Sequence, residues 1–125
     1  MKTSGTPRRS LLLVEDDPAN WLTLSAVLED AGFAVAVAES CTQAAQLLER
    51  RTQYDVVLLD WSLGDGDGQG LIPLVRSQVP AAKIVLVSGR GPSGSRVPVD
   101  AVFQKGAQVG ELLACLERLL RDAPG

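Results

Sequence analysis

The sequence predicts an α/β domain in which a parallel sheet lies between layers of helices. Three observations carry this. Short unbroken apolar runs such as Leu11–Val14 and Val56–Leu59 read as strands buried on both faces. Between such runs, apolar residues recur at helical spacing, and strands alternating with helices imply parallel neighbours joined by crossovers. Acids also follow directly on the runs, with Glu15-Asp16-Asp17 after the first and Asp60 after Leu59. Open α/β sheets form their sites at these carboxyl ends.

Met1–Ser10 holds Lys, Thr, Gly, Pro and two Arg without periodicity, and is expected to be a flexible tail. Leu11–Val14 is the first strand. Asp17-Pro18 reads as a helix start, an acid at the N-cap and proline at the first helical position. Leu24, Val27, Leu28 and Ala31 follow at helical spacing, and Gly32 ends the helix. Phe33–Ala38 is the second strand. Ser40 with Gln43 forms a capping box for a second helix carrying Cys41, Ala44, Ala45 and Leu48. Val56–Leu59 is the third strand, and Leu71, Leu74, Val75 and Gln78 outline a third helix with Pro73 in its first turn. Lys83–Val87 and Ala101–Phe103 are the fourth and fifth strands. Leu112, Leu113, Leu116, Leu119 and Leu120 face the final helix, and 122–125 forms a short C-terminal tail. The segment 89–99 holds three glycines and two prolines. At about 1 kcal/mol per glycine and about 3 per interior proline, a loop is expected there in place of a regular helix.

Composition narrows the function classes. The 125 residues are 46% apolar, enough for one packed domain. Net charge is −3, and no basic cluster exceeds Arg8-Arg9 or Arg50-Arg51, which argues against nucleic-acid binding. There is no histidine, so a His-based zinc site and a Ser-His-Asp triad are excluded. Cys41 and Cys115 lack metal-ligand spacing and read as small helix residues in a reducing compartment. No apolar run approaches the roughly 18 residues of a membrane span. A soluble cytoplasmic protein is expected.

The strand ends assemble a candidate site. The first strand delivers Glu15, Asp16 and Asp17, the third Asp60, the fourth Ser88 and the fifth Lys105. Two carboxylates about 4 Å apart repel by roughly 4 kcal/mol at an effective dielectric near 20, so a proton or a cation must sit between them. Oxygen-only ligands with room for water suit Mg²⁺. Such a cation with a lysine beside it makes a pocket for a phosphoryl group, with Asp60 as candidate nucleophile and Ser88 as a hydrogen-bond donor. Taken singly, each residue has a plainer reading: a turn or cap acid, a surface lysine, an ordinary Ser-Gly turn. The run Asp65-Gly66-Asp67-Gly68 faintly resembles a calcium loop but lacks the third acid and the distal glutamate. The conjunction of complementary groups in order is what points to phosphoryl chemistry.

Those residues also carry a resemblance. Leu13-Val14-Glu15-Asp16-Asp17-Pro18, Asp60-Trp61-Ser62-Leu63-Gly64-Asp65-Gly66-Asp67-Gly68, Val87-Ser88-Gly89 and Lys105 make the chain similar to the receiver domains of two-component response regulators. The resemblance spans 11–121. It implies a flavodoxin-like, doubly wound five-stranded sheet of order 2-1-3-4-5, and a phosphoryl acceptor at Asp60 served by a histidine kinase or phosphotransfer protein. It further implies Mg²⁺ held by Asp16 and Asp60 directly, by Glu15 through water and by the backbone carbonyl of Ser62. Ser88 matches the switch hydroxyl and Lys105 the phosphate-binding lysine. The resemblance implies a phosphoryl acceptor with slow autodephosphorylation rather than an enzyme.

The chain departs from the pattern between Ser88 and Lys105. Only 16 residues (89–104) intervene, so the fourth helix is expected to be reduced or replaced by a loop. Val102 stands where the family's switch aromatic sits, Gly106 follows the lysine in place of proline, and Gly64 stands where proline is common. The leading expectation is a stand-alone receiver that signals through protein contact, without nucleic-acid or membrane partners. Two alternatives stay open: an interaction module of this fold that works without phosphorylation, and a receiver cut from a hybrid kinase. A hydrolase with a strand-end Asp nucleophile ranks lower, because Ser62 stands where such enzymes carry a second acid.

Overall fold

The computed structural model describes residues 9–50, 53–60, 62–63, 66–88, 99–104 and 108–121. In chain order the elements are β1 (Arg9–Val14), α1 (Pro18–Asp30), β2 (Phe33–Ala38), α2 (Cys41–Arg50), β3 (Val56–Asp60), β4 (Ser62–Leu63) and β5 (Gly66–Asp67). A 3₁₀ turn (Gly68–Leu71), α3 (Ile72–Gln78), β6 (Lys83–Ser88), β7 (Ala101–Gln104) and α4 (Val109–Arg121) complete them. Five strands form one sheet in the order β2-β1-β3-β6-β7, and every pairing in it is parallel. With the small β4-β5 hairpin set aside, this is the expected 2-1-3-4-5 order.

Alternation along the strands divides the core into two layers. Leu12 and Val14 of β1, Val57 and Leu59 of β3, and Ile84 and Leu86 of β6 pack with Ala44 and Leu48 of α2 and with Ile72 and Val75 of α3. The intervening residues Leu11, Leu13, Val56, Leu58, Val85 and Val87 face Leu28 of α1 and Leu112, Leu116 and Leu120 of α4. The runs Leu11–Val14 and Val56–Leu59 are thus strands covered on both sides, as their lack of alternation predicts.

Helix boundaries follow the capping chemistry in the sequence. Asp17 Oδ1 accepts the Ala19 N–H at 3.1 Å, with Pro18 in the first turn of α1. Gly32 ends that helix with φ of 103°, a left-handed conformation that a side chain would strain. Ser40 Oγ accepts the Gln43 N–H at 3.0 Å, while Gln43 Oε1 reaches back to the Glu39 N–H at 2.6 Å. The returning bond of the capping box therefore lands one residue before Ser40. In α4, Glu111 in the first turn and Arg118 and Arg121 in the last suit the helix dipole.

Three features differ from the sequence reading. β1 begins at Arg9, so Arg9 and Ser10 belong to the sheet and not to a tail. The cause is Asp55, whose Oδ2 accepts the Ser10 N–H at 2.8 Å and whose own N–H donates to the Ser10 carbonyl at 2.8 Å. The glycine-rich stretch after Asp60 contains the antiparallel pair Ser62–Leu63 with Gly66–Asp67, two short strands that the sequence reading does not include. The third helix starts at Ile72, preceded by a 3₁₀ turn that takes in Leu71. The expected loop across 89–99 lies outside the described residues except for Val99, which has no regular structure. Among the described residues no helix is long and apolar enough to cross a membrane.

Candidate functional site

The register of the sheet places the strand ends in steps. Val14 pairs with both Ala38 and Leu59, and the Glu15 N–H continues the ladder to the Ala38 carbonyl at 3.0 Å. Glu15 therefore stands level with Asp60, the residue after Leu59. Asp60 in turn pairs with Val87, so Ser88 lies one residue beyond it, and Ser88 pairs with Gln104. Lys105 follows Gln104 in the chain and lies outside the described residues.

Glu15, Asp16 and Asp60 meet at this edge. Each offers a carboxylate oxygen, and the three oxygens lie within 4.8 Å of one another. Asp60 and Glu15 are each 3% exposed, whereas Asp16 faces solvent. Burial comes from position: Asp60 closes the central strand, with β1 on one side and β6 on the other. Glu15 Oε2 accepts the backbone N–H of Asp17 at 3.1 Å, which fixes that carboxylate against the start of α1.

This donor set fits a small hard cation. Three oxygens from three carboxylates converge, one of them open to water, which is the chemistry of a Mg²⁺ or Ca²⁺ ligand group. Unneutralised, the same three charges repel at this separation. Of the metal ligands read from the sequence, Glu15, Asp16 and Asp60 are brought together; Ser62 lies two residues past Asp60 in the β4-β5 hairpin. Of the residues that the sequence reading assigns to a phosphoryl group, Ser88 ends the strand beside β3.

The sequence reading missed the residues that hold this edge in place. Asp17 is the expected cap, but its N–H also donates to Glu15, a bond that leaves no mark in the sequence. At the opposite edge of the sheet, Asp100 Oδ2 accepts the Ile84 N–H at 2.7 Å, much as Asp55 accepts that of Ser10. Both acids directly precede a strand in the sequence, a weak signal that alone does not separate them from turn residues.

The comparisons agree with the geometry. The model of the response regulator receiver domain family matches residues 11–109. The alginate biosynthesis transcriptional regulatory protein AlgB of Pseudomonas aeruginosa is 36% identical over 107 residues, covering 86% of this chain and 23% of AlgB. The acid tolerance regulatory protein ActR of Sinorhizobium medicae is 34% identical over 115 residues, covering 88% of this chain and 59% of ActR. The chain thus spans less than two thirds of either relative.

Among solved structures, the receiver domain of the sensor histidine kinase PA1611 from Pseudomonas aeruginosa superposes with a TM-score of 0.82 at 26% identity, covering 92% of this chain and 99% of that one. That structure holds a magnesium ion in its active-site cleft. A Burkholderia pseudomallei response regulator with a phosphorylated aspartic acid, a calcium ion and citrate gives 0.81 at 25% identity, over 91% of this chain and 69% of that one. With its parallel sheet, its acidic edge and a family match over most of its length, this chain belongs to the response regulator receiver domain family.

Proposed function

We propose that Asp60 accepts a phosphoryl group from the phosphohistidine of a histidine kinase or phosphotransfer protein, in the cytoplasm, and that the modified domain signals by protein contact. The observation that carries this reading is the convergence of Glu15, Asp16 and Asp60 within 4.8 Å at the end of the buried central strand. One Asp60 carboxylate oxygen attacks the phosphorus as the donor's phosphorus–nitrogen bond breaks. The leaving imidazole nitrogen takes a proton from solvent, and Asp60 becomes an acyl phosphate.

Glu15, Asp16 and Asp60 are the side chains that would hold Mg²⁺, joined by the Ser62 carbonyl. When bound, the ion supplies positive charge to the phosphoryl oxygens. Burial of Asp60 limits the number of water molecules that reach the acyl phosphate. Ser88 is assigned as hydrogen-bond donor to a phosphoryl oxygen and Lys105 as its cationic partner. The register supports both, since Ser88 stands one step beyond Asp60 and pairs with the residue before Lys105. The magnesium and phospho-aspartate seen in the two solved receivers point the same way.

Incubation with acetyl phosphate and Mg²⁺ is expected to add one phosphoryl group by intact mass, and Asp60→Asn to abolish it. An unmodified wild-type protein would overturn the proposal. Partner binding that is equal for wild type and Asp60→Asn would instead favour a module that works without phosphorylation.

A further inference from the structure

Asp17 engages the chain at three points. Its side-chain Oδ1 accepts the Ala19 N–H at 3.1 Å, and its carbonyl accepts the N–H groups of Asn20 and Trp21, each at 3.0 Å. Its own N–H donates to Glu15 Oε2 at 3.1 Å. The first two contacts start α1 and hold Asp17 at φ −88° and ψ 116°. That backbone conformation also sets the direction of its N–H. The third contact therefore depends on the first two.

We infer that Asp17 is a positioning residue for the metal site, acting through Glu15 and through the peptide that carries Asp16. This rests on the proposed function, because it concerns the same carboxylate cluster. The physical reason is preorganisation. Glu15 is 3% exposed, so little water is available to orient its carboxylate, and the Asp17 N–H is a charge-assisted donor to it. Asp16 lies between the two bonded residues, so a loosened cap frees its side chain as well. Partners that orient metal ligands without touching the ion commonly govern affinity by about tenfold or more.

The test is a Mg²⁺ titration by isothermal calorimetry at about 0.15 M salt, where charge effects of exposed groups fade beyond about 8 Å. Wild type, Asp17→Ala, Asp17→Asn and Asp17→Ser are compared. Asp17→Ala removes the cap and is expected to weaken Mg²⁺ binding by about tenfold. Asn and Ser keep a capping oxygen and are expected to stay within about twofold of wild type. Thermal unfolding with and without Mg²⁺ separates positioning from simple helix stability. A purely structural cap lowers Tm equally in both conditions; a positioning residue also shrinks the Mg²⁺-induced rise in Tm.

Should Asp17→Ala fold poorly, Asp17→Gly removes the same side chain at a helix-start position where glycine is tolerated, and carries the same expectation. Wild-type binding matched by Asp17→Ala and Asp17→Gly would overturn the inference on Asp17 and leave the proposed function standing. A wild-type protein that binds no Mg²⁺ would overturn both.

Discussion

Trp21 shows how a single side chain can be half-suited to its place. It sits on α1 and packs, partly buried, against the layer built from Leu11, Leu13, Phe33 and the leucines of α4. Its indole Nε1 is fully buried and has no hydrogen-bond partner among the described residues. An unpaired buried donor costs about 1–3 kcal/mol, which offsets much of what the ring contributes by burial. Trp21→Phe keeps most of the apolar contact and removes the donor, so its stability by urea unfolding is expected within about 1 kcal/mol of wild type. A loss well above that would show that the N–H is paired in solution. The same scale marks the limit of reading the site from sequence. Glu15, Asp16 and Asp60 were legible because residues following apolar runs in a parallel sheet must share an edge. The Asp17 N–H bond to Glu15 was not, because a backbone donor is present at almost every residue and leaves no compositional trace.

At the scale of elements, the strands were legible and their starting points were not. Apolar runs mark what is buried on both faces, so Val56–Asp60 and Lys83–Ser88 fell within one residue of expectation. The start of β1 was misplaced because Arg9 is exposed at its edge and Ser10 is polar. Neither reads as strand until Asp55 is known to bind the Ser10 backbone. Asp100 does the same for β6 and β7: its side chain takes the Ile84 N–H, and its N–H donates to the Ile84 carbonyl at 2.9 Å. It also meets Arg76 of α3 at 3.5 Å, with the two side chains 25% and 40% exposed respectively. The two contacts differ in weight. Asp100→Ala leaves the Ile84 N–H without its acceptor and is expected to cost about 1–3 kcal/mol. Arg76→Ala removes an ion pair that solvent screens, for about 0–1 kcal/mol. Equal losses in chemical denaturation would show that the ion pair, and not the backbone bond, ties β7 to β6.

Taken as a whole, the molecule treats the two edges of its sheet in opposite ways. At the amino edge, Asp55 and Asp100 accept backbone N–H groups, and their charges strengthen the pairing of strands. At the carboxyl edge, Glu15 and Asp60 are both 3% exposed and, with Asp16, present oxygens within 4.8 Å of one another. At 4.8 Å two charges repel by about 3.5 kcal/mol at an effective dielectric near 20. Stability given up at the carboxyl edge is thus the means by which that same edge would hold a cation, a pattern common to functional sites. It follows that one substitution should change sign with the metal. Without divalent ions, Asp60→Asn relieves the repulsion and is expected to be more stable than wild type, by about 1 kcal/mol or more. With Mg²⁺ at about one hundred times its Kd, wild type gains about 2.7 kcal/mol from binding, and Asp60→Asn gains much less. The stability order of the two proteins is therefore expected to reverse between chelator and Mg²⁺, which paired denaturant titrations would read directly. An unchanged order would mean that the three carboxylates are neutralised by something other than a bound cation.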